Sequence, residues 1–426
     1  MRLQQLRRTM KRKWLLCIMT ALSGMFATNL ALALDWQKTT IPDTATYEAV
    51  VSSADGKTLV AAVPYAGVFY SSTNAGVSWT SNNAPFSSYS FCLACSADGA
   101  KLAVGVAGGV IWTSADTGAS WLPSPVPATN WVSIGSSASG QTLVATFGGD
   151  RTYSSQDWGA NWTSNLVHST SVASSADGTK LAAAAFSGGI VTSTNSGVTW
   201  QMTSAPSNDW VSLACSADGV KLVAGNFSYL TGDTNRIYIS TNSGAAWTPS
   251  NMPDAPQDLV AIASSADGKR LVVLAAFPFY PSTPQMYVSV DGRATWTKTG
   301  PPDINWTSMA MSADGYQIVA SAGPTPLTLV GNGIYISKSV PELGLSITPQ
   351  GTNRLLSWTT PFDEFCFAAK LRPSRDELDR RSRPTSFCTH KSCATSQSRT
   401  HRRPWLLSVE ELLSNVAQRP PKHCRL

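Results

Sequence analysis

Between residues 35 and 340 short apolar runs alternate with clusters of turn-forming residues, and the same order recurs about every 38–49 residues. A run such as Trp131-Val-Ser-Ile-Gly-Ser reads as a first strand and ends in a Ser-Ala-Asp-Gly turn. A second strand follows, as in Lys221-Leu-Val-Ala, then a glycine-rich loop such as Ala107-Gly-Gly. A third strand, as in Ile237-Tyr-Ile-Ser, leads to a second turn of the form Ser-x-Asp/Asn-x-Gly-x-x-Trp, whose Trp opens a fourth strand. No segment shows the 3.6-residue period of an amphipathic helix. Four short strands per unit at a fixed period predict an all-β propeller with one four-stranded blade per repeat.

The two turns carry their own chemistry. The first occurs at Asp55-Gly56, Asp98-Gly99, Asp177-Gly178, Asp218-Gly219, Asp267-Gly268 and Asp314-Gly315, with a degenerate copy at Ser139-Gly140. The second pairs Asn74 with Trp79, Asp116 with Trp121, Asp157 with Trp162, Asn195 with Trp200, Asn242 with Trp247 and Asp291 with Trp296. The last of these has Arg293 where the others carry glycine. Asp and Asn accept hydrogen bonds from nearby N–H groups, and Gly supplies the positive φ of a tight corner. Each Trp brings a large apolar surface to bury between blades. Seven first turns against six Trp turns leave the seventh unit one strand short, and Trp36 looks like the missing strand. We therefore expect seven blades over residues 35–340, closed by the N-terminal strand and free of sheet edges.

The Ser-x-Asp-x-Gly-x-x-Trp copies resemble the Asp-box, or BNR, repeat. That family includes sialidases, sortilin-type receptors and photosystem II assembly/stability factors. The resemblance spans about residues 35–340 and implies a sialidase-like propeller, but the motif marks the blade and not an activity. A sialidase site needs three arginines, a Tyr nucleophile with a Glu partner, and an Asp acid/base. The block holds only Arg151, Arg236, Arg270 and Arg293, of which the last two sit beside turns, and Glu48 is its only Glu. No arginine triad can be assembled, so the sialidase catalytic set is absent.

Charge sharpens the division of the chain. Residues 1–34 hold six Lys/Arg and no acid, and the block 35–340 holds 12 Lys/Arg against 18 Asp/Glu. The basic balance belongs to the two ends, and an acidic ring argues against nucleic-acid binding. Basic residues up to Lys13, an apolar stretch from Trp14 to about Leu34 and Ala31-Leu-Ala read as a signal peptide over 1–33, or alternatively an uncleaved anchor. The expected location is secreted, periplasmic or cell-surface, with membrane contact only through the signal during export. Residues 341–361 read as the start of a small β module. From about Phe362 the periodicity collapses, and residues 362–426 read as a frameshift-like, non-native or disordered tail. A one-base shift can restore a strand-rich peptide like the C-terminal segments of exported bacterial repeat proteins. Cys388, His390, Cys393 and His401 fit no standard zinc finger. Cys92-x-x-Cys95 lies in a strand with no helix to activate a thiol. No metal and no cofactor is expected.

Ligands of propellers meet the loops that enter the first strand and join the second to the third. At the first of these positions stand Tyr47, Trp131, Trp210 and Trp306, which either line the mouth or pack blade ends. The longer loops add Phe227 and Tyr229, and Arg151 and Arg236 are the free cations. Asp150, Asp209, Asp233, Asp254, Asp258 and Asp303 are scattered loop acids, and His168 reads as a surface residue. The expected function is a non-enzymatic exported propeller, monomeric, binding a protein or a glycan. The alternative is a glycoside hydrolase using an Asp pair; an assembly factor of the photosystem II type ranks third because the ring is acidic.

Overall fold

The computed structural model describes residues 36–42, 45–226, 237–250, 252, 259–275, 285–292, 295–299, 305–323 and 333–338, and five strands beyond them. Every regular element among the described residues is a strand. The chain divides into two units, Met1–Val340 and Pro341–Leu426.

The first unit is a seven-bladed β-propeller of four-stranded antiparallel blades. Blade one runs Ala49–Ser52, Leu59–Val63, Val68–Ser72 and Thr80–Asn83, and blades two to six repeat that order. Blade seven takes Asn305–Met311, Gln317–Gly323 and Gly333–Lys338 from the end of the unit and its outer strand, Trp36–Lys38, from the beginning. The orphan Trp strand thus closes the ring as expected. Second strands are almost wholly buried, as in Leu59–Val63, because both of their faces meet neighbouring blades. The core is accordingly a series of inter-blade clusters, such as Phe69, Phe91, Leu102, Val104 and Trp121 between blades one and two.

Antiparallel order puts both turn motifs at one end of the ring and all connecting loops at the other. At the turn end the Ser of each Ser-Ala-Asp-Gly is buried and acts in two directions. The Ser53 hydroxyl donates to Asp55 Oδ1 at 2.7 Å and accepts from the Thr58 N–H at 2.9 Å. The alanine that follows has a further role. The Ala54 N–H donates to the Ala97 carbonyl, and the pattern continues through Ala138, Ala176, Ala217, Ala266 and Ala313, whose N–H returns to Ala54. These bonds of 2.7–2.8 Å form a closed circle around the axis. Degenerate Ser139-Gly140 keeps its place in it because the backbone alone carries the bond.

The Trp turn is as regular. The Ser72 hydroxyl donates to Asn74 Oδ1 and accepts from the Gly76 N–H, both at 2.9 Å, and Asn74 Oδ1 also accepts from the Ser78 N–H. Two successive residues are left-handed here, Ala75 at φ 57° and Gly76 at φ 80°. The Ala75 N–H is held by the Lys57 carbonyl of the first turn, and equivalent bonds tie Thr117, Trp158, Ser196 and Ser243 to theirs. This explains the irregular sixth copy. Gly292 takes the first left-handed position at φ 78°, and its N–H meets the Lys269 carbonyl. Burial of the tryptophans is less uniform than expected. Trp121 and Trp296 are buried, whereas Trp36, Trp79, Trp162, Trp200 and Trp247 are half-buried.

The turn aspartates predict an acid limit. The Ser96, Ser175 and Ser216 hydroxyls hold Asp98, Asp177 and Asp218 below the ordinary value of 3.8, aided by backbone N–H groups. A carboxylate whose pKa is lowered by folding stabilises fully above the unfolded pKa and loses that contribution as pH falls through the folded one. Thermal midpoints should therefore hold from about pH 8 to about pH 5 and drop below about pH 4, more gently once these three are changed to Asn. An unchanged acid profile in the triple variant would contradict the assignment.

The second unit contains a three-stranded antiparallel meander, Gly344–Gln350, Asn353–Thr359 and Cys366–Leu371, and a hairpin of Phe387–Thr389 with Ser392–Ala394. The first two strands lie within residues 341–361. The third lies beyond residue 361, where the sequence pattern was expected to end.

Candidate functional site

The two ends of the ring differ in composition as well as in connectivity. Between positions 49 and 208 the turns hold Asp55, Lys57, Asp98, Lys101, Asp116, Asp157, Asp177 and Lys180. The loop end of the same stretch holds Asp150 and Arg151 as adjacent opposite charges, plus His168. Turn-end cations are largely occupied in structure. Lys101, Lys180 and Lys221 donate to the Ser139, Asp218 and Asp267 carbonyls of the next blade, and Lys101 also sits over the Trp158 ring. Opposite register of Trp36 and Ser337 means the chain enters blade seven from the turn end, and it leaves that blade at Lys338 on the same end.

The four aromatic mouth residues are inside the protein. Tyr47, Trp131, Trp210 and Trp306 are at most 2% exposed and offer no face to a ligand. Tyr47 packs edge-on to Tyr70 and donates to the Pro42 carbonyl. Trp131 meets Phe147 and Tyr153 and donates to the Gly109 carbonyl. Trp210 packs on Tyr238, and Trp306 fills the space between Tyr335 and Trp36. These rings wedge blade ends apart at the spacing that the second strands require, so the packing reading replaces the stacking one. Arg151 is half-buried and reaches across its blade to donate to Ser164 Oγ at 3.3 Å, away from the mouth. Arg236, Phe227 and Tyr229 lie outside the described residues.

Of the loop acids only Asp150 and Asp209 are described. Asp209 is buried, and its Oδ1 accepts from both the N–H and the hydroxyl of Ser187, which locks the loop of blade four. Asp150 is exposed, as is His168. Glu48 sits between blades one and two, where Ser90 Oγ donates to its Oε1 at 2.6 Å. Burial raises its pKa against the lowering effect of that bond and of the Phe91 N–H. Cys92, Cys95 and Cys215 are free thiols pushed up to about 12 by burial, with Cys95 and Cys215 donating to carbonyls of the preceding blade. A thiol at that value stays protonated near neutral pH, which disfavours attack as a thiolate. Among the described residues no group of His, Cys, Asp and Glu could hold a metal ion.

What the loop end does present is apolar. Among the described residues the exposed aromatics are Tyr65, Tyr89 and Phe186, and all lie there, joined by Val132 beside the mouth. Tyr65 lies in blade one, Tyr89 in the loop from blade one to blade two, Val132 at the entry of blade three and Phe186 in blade four, and the first two are fixed by their own bonds. The Tyr65 N–H donates to the Ser88 carbonyl at 2.6 Å, and the Tyr89 hydroxyl donates to Asn130 Oδ1 at 3.1 Å, two residues before Val132. Tyr65 holds a left-handed backbone at φ 65°, a strained state for an aromatic residue. Sequence reading missed these residues, although Phe186 stands eleven residues after Ser175, where Phe227 stands after Ser216. An isolated Tyr in Pro64-Tyr65-Ala66-Gly67 was a further signal.

No family model matches the chain, and no curated protein matches it. Solved structures do share the fold. "YCF48 bound to D1 peptide" aligns at a TM-score of 0.53 and 15% identity over 72% of this chain and 99% of that one. "Structure of U3-55K" aligns at 0.54 and 12% identity over 71% and 98%. At these identities the likeness is one of architecture, and its extent equals the length of the ring.

Proposed function

We propose that the ring is a non-enzymatic scaffold, exported to the periplasm or cell surface, that holds a protein ligand on its loop end. One observation carries this reading: the turn end is consumed by its own hydrogen bonds and charges, while the loop end of blades one to four carries exposed aromatic rings. Large apolar side chains held in solvent on one end of a fold are candidates for an interaction site. A propeller of similar length, YCF48, solved with a D1 peptide, is an instance of such a ring holding a peptide. The Asp-box kinship, the leader at 1–33 and the frameshifted origin of residues 362–426 belong to the same proposal; the coding DNA tests the last.

A photo-crosslinking amino acid at position 186 should capture one protein partner from the exporting cell, and the same probe at exposed Val198 in a Trp turn should not. The exported chain should begin at Leu34 or Asp35. A chain retained in the cytoplasm removes the export reading. Glycoside turnover abolished by a single Asp→Asn change removes the non-enzymatic one.

A further inference from the structure

Building on that reading, we infer that the loop end of blades one to four recognises an uncharged peptide segment with apolar side chains, through Tyr65, Tyr89, Val132 and Phe186. Their exposures, 77%, 53%, 50% and 41%, are those of side chains held in solvent and not of core residues at its margin. Among the described residues of these loops the charges are Asp150 and Arg151, adjacent in sequence, and two acids already bonded to the protein, Glu48 to Ser90 and Asp209 to Ser187. Glu48, Asp209 and Arg151 are spent on Ser90, Ser187 and Ser164, which leaves Asp150 as the one exposed acid without such a bond among the described residues, so the electrostatic match is to a neutral partner. A glycan fits less well, because a polyhydroxyl ligand needs convergent polar side chains. Here Asp209 is committed to Ser187 and Asn130 accepts from Tyr89. Tyr65 adds a second, independent argument. A phenol ring at a loop tip, on a left-handed backbone pinned by Ser88, is pre-positioned at a conformational cost that no internal packing returns.

The test is binding of the purified full chain to an array of short peptides graded in charge and hydropathy, with a glycan array and sedimentation in parallel. Neutral peptides rich in aromatic and aliphatic residues should be retained and charged ones not. Affinity should change less than about two-fold between about 50 and about 500 mM salt, since no ion pair contributes. Y65G suits the left-handed position and removes only the ring, so it should keep the fold while reducing affinity roughly ten-fold or more, as should Y89S. V198S at the opposite end should change neither. Preference for charged peptides, or full affinity in both Y65G and Y89S while position 186 still crosslinks a protein, overturns this inference and leaves the scaffold reading standing. Glycan binding without peptide binding, or self-association that Y65G abolishes, overturns both.

Discussion

Deleting residues 1–39 should drive the ring into larger oligomers or aggregates, whereas deleting residues 1–34 should leave its assembly state unchanged. The longer deletion removes the strand that pairs Trp36 with Ser337, Gln37 with Ile336 and Lys38 with Tyr335. It also removes the Thr39 N–H bond to the Ile334 carbonyl. Trp36 leaves a void against Trp306, whose ring lies 5.3 Å away, and large-to-small changes of this kind cost about 3–5 kcal/mol. The energy is the smaller part of the argument. Strand Gly333–Lys338, buried along most of its length, becomes an open edge able to pair with another copy. The circle of alanine bonds still joins Ala313 to Ala54, so blade seven stays attached at its inner strand while its outer half is unsatisfied. Concentration-dependent mass in sedimentation and a lowered thermal midpoint should follow. An equally stable product in an unchanged assembly state would mean that the alanine circle alone closes the ring.

That circle shows which parts of the fold were legible. Ser, Asp and Gly in the first turn act within six residues of one another, so their roles follow from local chemistry. Alanine in the same turn looks like filler, because its partner lies in the next blade, some 40 residues away. The left-handed residue before the turn glycine was hidden for a different reason. Ala75, Thr117, Trp158, Ser196 and Ser243 share no side-chain property, and only Gly292 in the irregular copy betrays the position. The sequence left Tyr47, Trp131, Trp210 and Trp306 open between mouth and blade packing because strand alternation cannot tell a channel from an inter-blade seam: in a closed ring both lie inside. Ser90 and Ser169, which stand at the equivalent position in other blades, are also at the seam, and the Ser169 hydroxyl contacts Thr152 there. The exposed rim was illegible because these loops differ in length from blade to blade and hold no fixed register.

Replacing Trp121 by alanine should cost about 3–5 kcal/mol, while the same change at Trp200 should cost about half as much, although both occupy the same place in their turns. Trp121 is buried between blades one and two, with ring centroids 5.0 Å from Phe69 and 5.4 Å from Phe86. Its removal leaves a cavity walled by rigid aromatics that cannot collapse to fill it. Trp200 is half-buried against an aliphatic cluster of Val144, Val172, Leu181 and Ala183, and solvent can take part of the space. Its indole N–H donates to the Gly197 carbonyl at 3.1 Å, adding only about 1 kcal/mol to the loss. The Trp121 indole N–H, in contrast, is buried without a partner, which itself costs about 1–3 kcal/mol. Trp121→Phe should therefore be nearly neutral, because the lost area is offset by removal of an unsatisfied donor. Urea unfolding midpoints of the three variants measure the order directly. Equal losses for the two alanine variants would mean that the turn, and not the inter-blade seam, is what the tryptophan stabilises.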